Sequence, residues 1–202
     1  MTFSSCLTDL DKVIVLDASV VINLLATGSA RAILQTLEAS FFVTANVVNE
    51  IQKGGTNGRQ EPKLLTELID AGIVRVEELS GSSLERFFDV VSGHTVDSLG
   101  DGEAATLAFA YSHGFTAAID EKKATRVAGM RFEAMRIITT IDIFASAPVQ
   151  ALLGREALAG AILRALQVAR MQVRQYQYSW VVGLVGAGNI TACPSLKRFS
   201  RC

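Results

Sequence analysis

The sequence predicts an α/β fold, a three-layer α/β/α sandwich with a mainly parallel central sheet. Short apolar runs rich in β-branched residues alternate with segments of helical spacing over about 130 of the 202 residues. Half of the residues are hydrophobic and only 19% are charged, which is ample for a core and excludes disorder throughout the chain. Alternation of this kind is typical of strand–helix–strand units, whose strands run parallel.

Five short segments are predicted as strands. The first, Val13–Leu16, is a continuous apolar run that ends at Asp17, as expected for a central strand buried on both faces. A later strand, predicted at 117–119, also ends at an acid, Asp120. The other three strands are predicted at residues 41–44, 73–76 and 137–138.

Helices are predicted between these strands. The segment at 101–113 is the clearest, because Asp101 begins it, apolar residues recur on one face and Gly114 ends it. Asn46 is predicted to cap the helix after the second strand, and the Gly-, Asn- and Pro-rich stretch at 54–62 is predicted as a loop. The remaining helices are predicted at residues 18–26, 30–39, 64–71, 83–91, 121–129 and 156–175.

The net charge of −1 is a cancellation between two parts of the chain. Residues 1–148 carry twelve basic and nineteen acidic residues, a balance of −7, whereas residues 149–202 carry seven basic residues and one acid, a balance of +6. We therefore predict a compact domain over 1–148 and a basic C-terminal helical extension and tail over 149–202. Packing on the domain or on a second subunit is the expected role of this extension. Contact of its arginines with nucleic-acid phosphates is the alternative.

The cysteines and the N-terminus indicate the compartment. Cys6, Cys193 and Cys202 are widely spaced and form no CxxC pair, so neither a disulfide framework nor a zinc site is predicted. The N-terminus shows no signal-peptide pattern, and no apolar stretch in the tail approaches the roughly twenty residues that cross a membrane. We expect a cytoplasmic protein without a membrane partner.

Four acidic residues are predicted to meet at the carboxyl edge of the sheet. Asp17 and Asp120 end strands, and sites in parallel sheets lie beyond these ends. Glu50 lies in the helix after the second strand, and Glu103 lies in the first turn of the helix that Asp101 begins. Helix capping would explain Asp101 and Glu103 equally well.

A divalent cation would explain why several acids cluster at one edge. Mg²⁺ and Mn²⁺ prefer carboxylate oxygen, and a site of this kind can activate water for hydrolysis of a phosphodiester. Neither His94 nor His113 follows a strand, and both are expected to be ordinary surface or loop residues.

Four segments resemble, in order, the motifs of PIN domains. They are VIVLDASVVINLL, VTANVVNEI, LGDGEAATLAFAYSHG and AAIDEKKATRVA, and the resemblance covers residues 13–145. It is closest to stand-alone prokaryotic PIN proteins, including VapC-type toxins. It implies an endoribonuclease dependent on Mg²⁺ or Mn²⁺, and it implies four catalytic metal ligands: Asp17, Glu50, Glu103 and Asp120.

The resemblance also suggests residues around this cluster. The third motif carries Glu103 where Asp is commoner, so Asp101 is a candidate additional ligand, as is Glu121 beside the last acid. Ser19 matches a small hydroxyl residue of the family. It is expected to help position the substrate, together with Asn23, Lys122, Lys123 and Arg126.

The expected activity is therefore RNA hydrolysis by a cytoplasmic, homodimeric enzyme, the toxin of a type II toxin–antitoxin pair with an antitoxin protein as partner. The alternative is a catalytically inactive PIN-fold binding or scaffold module. A phosphatase that uses two Asp residues two positions apart is disfavoured, because Ser19 occupies the second position.

Overall fold

The computed structural model describes residues 3–54, 60–92 and 98–199, and it confirms the predicted α/β/α sandwich. The strand order is β3-β2-β1-β4-β5, and every pairing is parallel. From β1 the chain proceeds to β2 and β3 on one side, and β4 and β5 lie on the other side, so a topological switch point lies between β1 and β4. The strands are Val13–Leu16 (β1), Ser40–Thr44 (β2), Val74–Glu77 (β3), Thr116–Ala118 (β4) and Ile137–Ile138 (β5).

Helices connect and cover these strands. Helix α6 has its predicted bounds, and Gly114 ends it in the left-handed conformation with φ +67°. The described helices are Ala18–Ala26 (α1), Ala30–Thr36 (α2), Ala45–Gly54 (α3), Glu61–Asp70 (α4), Gly81–Val91 (α5), Asp101–His113 (α6), Lys122–Arg131 (α7), Thr140–Ala145 (α8), Ala147–Gln167 (α9), Tyr178–Val185 (α10) and Pro194–Lys197 (α11).

Two hydrophobic cores lie on opposite faces of the sheet. In β1, Ile14 and Leu16 belong to one core and Val15 belongs to the other, as the alternation of side chains along a strand requires. Helices α1–α4, α8 and α9 contribute to the first core, and α5–α7 contribute to the second. Because helices cover both faces, the central strand is a continuous apolar run without polar alternation.

The chain after residue 148 packs into the first core. Leu158, Ile162 and Leu166 of α9 are buried there, as are Val181 of α10 and Leu196 of α11. This segment therefore shares the core of the sandwich. The division of the chain at residue 148 stays a prediction.

The helix predicted at 156–175 is wrong in its bounds. Helix α9 begins at Ala147, is interrupted at Gly154 with φ +67°, and ends at Gln167. Arg170 takes φ +55°, and the N–H of Met171 donates to the Ala165 carbonyl at 3.0 Å, so the chain turns out of the helix there. Val173 is buried, but it reaches the core from the non-helical segment that follows.

Two smaller predictions also differ from the structure. Asn46 is not a cap, because α3 begins at Ala45 and the Thr44 hydroxyl accepts the N–H of Val47 at 3.4 Å. Of the loop predicted at 54–62, residues 55–59 lie outside the described residues, and α4 already begins at Glu61. Proline in the first turn, as in α4, is compatible with a helix.

No single helix within the described ranges has the length and apolar content needed to cross a membrane. Helices α1 and α2 reach that length and apolar content only when they are taken together, and the chain bends by 112° between them.

Candidate active site at the carboxyl edge of the sheet

Asp17 lies at the switch point, directly after β1. It caps α1, and its Oδ2 accepts the N–H of Ser19 at 3.1 Å and the Ser19 hydroxyl at 2.6 Å. The other oxygen, Oδ1, is buried and has no hydrogen-bond partner among the described residues. Burial raises the pKa of this carboxyl, and the Ser19 hydrogen bonds act against that rise. A buried carboxylate oxygen without a donor is costly unless a cation or a proton satisfies it.

Asp120 lies on the other side of the switch point, two residues after β4. Its Oδ1 accepts the Thr140 N–H at 2.8 Å, and its Oδ2 accepts the Thr140 hydroxyl and the Asn23 amide, each at 2.6 Å. The side chain is buried, and burial together with the negative charge of Asp17 raises its pKa to about 6. Three donors from two helices therefore hold this carboxylate in one orientation.

Glu103 lies in the first turn of α6. Its Oε2 accepts the Gly100 N–H at 3.1 Å, so it has the capping contact that the sequence allowed as an alternative role. Its pKa is nevertheless raised to about 7, chiefly by burial and then by the negative charge of Asp17. Glu103 therefore caps α6 and also lies close enough to Asp17 to feel its charge.

Glu50 approaches the same helix terminus from α3. Burial raises its pKa, and the charges of Asp17 and Asp101 raise it further. Its carboxylate lies against Gly102, where a Cβ atom would overlap Oε2 and would come within 3.6 Å of Val47. Glycine at this position therefore leaves the space that Glu50 occupies. Asp101 is exposed at the start of α6.

The remaining predicted residues lie on or near α7 and α1. Glu121 is exposed and caps α7 by accepting the Lys123 N–H at 3.3 Å, and its negative charge raises the pKa of Glu103. The Lys123 ammonium donates to the Ser98 carbonyl at 2.5 Å, whereas Lys122 and Arg126 are exposed. Ser19 binds Asp17, as already described, and Asn23 is buried with its amide committed to Asp120.

The histidines are remote from this edge as far as they are described. His113 is exposed at the far end of α6, with Nδ1 2.8 Å from the Phe109 carbonyl oxygen. His94 lies outside the described residues.

The carboxylates of Asp17, Glu50, Glu103 and Asp120 are ligands of the chemical type that a divalent cation such as Mg²⁺ prefers. One of their oxygens is buried without a donor, and burial raises the proton affinity of Asp17, Glu103 and Asp120. A bound Mg²⁺ or Mn²⁺ would satisfy these carboxylate oxygens in place of a proton. Within the part of the chain that the structure describes, however, no group of three or more Asp, Glu, His or Cys side chains stands in a metal-binding arrangement.

Three residues at this edge were missed in the sequence. Thr140 donates two hydrogen bonds to Asp120, and the only sequence signal for this role was the Thr-Thr pair after the last strand. Gly102 leaves space for the Glu50 carboxylate, and the sequence signal for this role was a glycine placed between Asp101 and Glu103. Arg174 carries a positive charge that lowers the pKa of Asp120, and nothing local in the sequence places it there.

Comparison with known proteins identifies the family of this chain. The family model DUF3368, described as a PIN domain, matches residues 13–187. No curated protein shows significant similarity to the chain. PIN domains are generally nucleases and are typically dependent on divalent metal ions. Since the match covers most of the chain and ends well beyond the last strand, this protein belongs to the PIN-domain family.

Proposed function

We propose that this PIN-domain protein is an endoribonuclease that depends on Mg²⁺ or Mn²⁺ and hydrolyses RNA phosphodiester bonds. The observation that carries the proposal is the pair of buried acids, Asp17 and Asp120, on either side of the switch point. Glu50 and Glu103 reach the same edge from α3 and α6, and the negative charge of Asp17 raises the pKa of both.

Each residue has a distinct part in this proposal. Asp17, Glu50, Glu103 and Asp120 would hold the cation, with Asp101 and Glu121 as additional candidates. When bound, the ion supplies charge neutralisation and a water of lowered pKa.

The neighbouring polar groups orient the carboxylates. Thr140 and Asn23 fix Asp120, and Ser19 occupies one oxygen of Asp17 and leaves Oδ1 without a donor. Oriented carboxylates of this kind lower the cost of reorganisation when charge develops on the phosphate.

Cleavage assays test the proposal. We expect purified protein with Mn²⁺ to cleave tRNA, mRNA or rRNA fragments, and we expect a chelator, Asp17→Asn and Asp120→Asn each to abolish cleavage. Asp70→Asn, at an exposed position at the end of α4, is the matched control and should cleave normally. Intact RNA in every wild-type reaction would refute the nuclease proposal.

The binding or scaffold module is the alternative outcome of the same assays. Such a module would bind RNA or a protein in both wild-type and Asp17→Asn forms and would cleave in neither. The raised pKa values of Glu103 and Asp120 favour the enzyme, because perturbed carboxyl groups cluster at functional sites.

The biological role that we propose is that of a toxin in a type II toxin–antitoxin pair, acting as a cytoplasmic homodimer. The antitoxin would be a small protein whose basic segment enters the acidic edge of the sheet. Two observations would support the role. One is a short neighbouring reading frame that encodes a DNA-binding protein. The other is that expression of the PIN-domain chain arrests growth and that co-expression of the DNA-binding protein relieves the arrest. Growth unaffected by an active nuclease would refute the role.

A further inference from the structure

The segment that follows α9 is attached to the candidate site by a buried glutamine. Gln177 is fully buried, and its Nε2 donates to the Thr139 hydroxyl at 2.8 Å. Thr139 directly precedes Thr140, which binds Asp120. The Gln177 Oε1 accepts the backbone N–H of Arg174 at 2.9 Å. The backbone at Arg174 is thereby fixed beside the carboxyl end of β5.

The Arg174 side chain extends from this anchored backbone toward α7. Its Nη2 donates to the Thr125 hydroxyl at 2.8 Å, and the side chain is half-buried. Among residues 3–54, 60–92 and 98–199, Arg174 forms no ion pair, although its charge acts on Asp120. A guanidinium has five N–H donors in a planar fork, so one hydrogen bond to a neutral hydroxyl leaves most of its capacity for an anion.

An anion is the ligand that fits the Arg174 guanidinium. The nearby acids repel a phosphodiester, so a basic side chain at this edge would favour the approach of RNA. The Lys123 ammonium donates to the Ser98 carbonyl, and its expected part in positioning the substrate stays a prediction. The charge of Arg174 acts on Asp120, and its guanidinium is held at this edge by the Thr125 hydroxyl of α7.

We propose that Arg174 is a substrate-binding residue whose guanidinium contacts a backbone phosphate of RNA next to Asp120. The inference rests on the proposed function for the substrate class, and it assigns a role at the site to the basic C-terminal segment. Bidentate contact between a guanidinium and a phosphate is strong and geometrically specific.

Salt-dependent binding separates this role from a purely structural one. Fluorescent single-stranded RNA is titrated with the full chain carrying Asp17→Asn, so that RNA is not consumed. Each phosphate contact to single-stranded nucleic acid contributes about 0.7 to the slope of log affinity against log salt. We expect Arg174→Ala and Arg174→Gln to bind about tenfold more weakly, with a slope smaller by about 0.7. Arg174→Lys should keep the slope.

Two matched controls complete the design. Thr125→Val removes the hydrogen bond of Arg174 and keeps its charge, so it should bind RNA within about twofold of the parent. Arg155→Ala removes another cation of the C-terminal segment, one that donates to the Gly183 carbonyl of α10, and it should change nothing. Thermal unfolding checks the fold of each protein. Arg174→Gln, which keeps a neutral polar side chain, carries the test if Arg174→Ala does not fold.

Distinct results overturn the inference. It fails if the parent binds no RNA, if Arg174→Ala and Arg174→Gln keep the parental affinity and slope, or if Thr125→Val weakens binding as much as they do. The nuclease proposal fails separately, when wild-type protein with Mn²⁺ leaves RNA intact. In that case the salt slope still decides the role of Arg174.

Discussion

Replacing Gly102 by alanine should strongly reduce the proposed RNA cleavage without unfolding the protein. The added Cβ would overlap the Glu50 carboxylate oxygen Oε2 and would lie 3.4 Å from its Cδ. The obstructing atoms are the end of a flexible side chain, so the carboxylate can move away at little cost in stability. Alanine also stabilises a helix relative to glycine, by up to about 0.5–1 kcal/mol in the free energy of unfolding, which offsets this cost.

The functional cost should be much larger than the cost in stability. Relief of the overlap requires a displacement of the carboxylate on the order of 1 Å, and a misplacement of this size can cost about a hundredfold in rate. A hundredfold loss corresponds to about 2.7 kcal/mol in the activation free energy. We therefore expect Gly102→Ala to lose activity on this scale, approaching the activity of Glu50→Gln.

The assay compares initial rates of RNA cleavage with Mn²⁺ and free energies of unfolding in urea. Gly129→Ala is the matched control, because Gly129 also lies in a helix but has no atom within 4 Å of an added Cβ. It should keep full activity. Full activity in Gly102→Ala, or a loss of stability of several kcal/mol that accounts for the loss of activity, would refute the reasoning.

Three further predictions concern hydrogen bonds and protonation. Thr140→Val removes the 2.6 Å hydroxyl donor of Asp120 and should raise the Asp120 pKa above about 6. The acid limb of the rate–pH profile should move to higher pH, and an unchanged limb would contradict this. Metal-free protein should become less stable as the pH rises from about 4.5 to 7. Burial raises the pKa of Glu103 to about 7, so the folded chain binds more protons than the unfolded chain in this window. Melting temperatures in a chelator test this, and Glu103→Gln should flatten the curve. Arg136→Ala leaves the buried Asp11 carboxylate without its 2.7 Å guanidinium partner and should cost about 2–3 kcal/mol in urea unfolding. Activity per folded molecule should stay normal, since this pair lies at the opposite edge of the sheet, and a selective loss of activity would refute that placement.

Local patterns were sufficient where one element controls its own bounds. Helix α6 begins at Asp101 and ends before Gly114 as predicted, because capping and a left-handed glycine act within one turn. Helix α9 was misplaced, because its apolar spacing continues to Val173, although the chain leaves the helix after Gln167. Hydrophobic periodicity reports which residues are buried, and Val173 is buried without being helical.

The candidate site divides in the same way. Position after a strand predicted that Asp17 and Asp120 would lie at one edge, because parallel strands end together, and the structure shows both there. Asn23 was predicted to help position the substrate, which stays a prediction, and the structure shows its amide on Asp120, 97 residues away in the chain. A contact between such distant residues depends on how α1 packs beside the carboxyl end of β4, which no local pattern encodes.

The sequence by itself determined the alternation of strands and helices, the parallel sheet and the acids at its carboxyl edge, because each follows from the periodicity and chemistry of neighbouring residues. Only the tertiary structure decided which groups surround those acids. The Thr140 donors, the space at Gly102 and the charge of Arg174 come from separate parts of the chain. Packing on the two faces of the sheet brings them together, and the same burial raises the pKa values of Glu103 and Asp120.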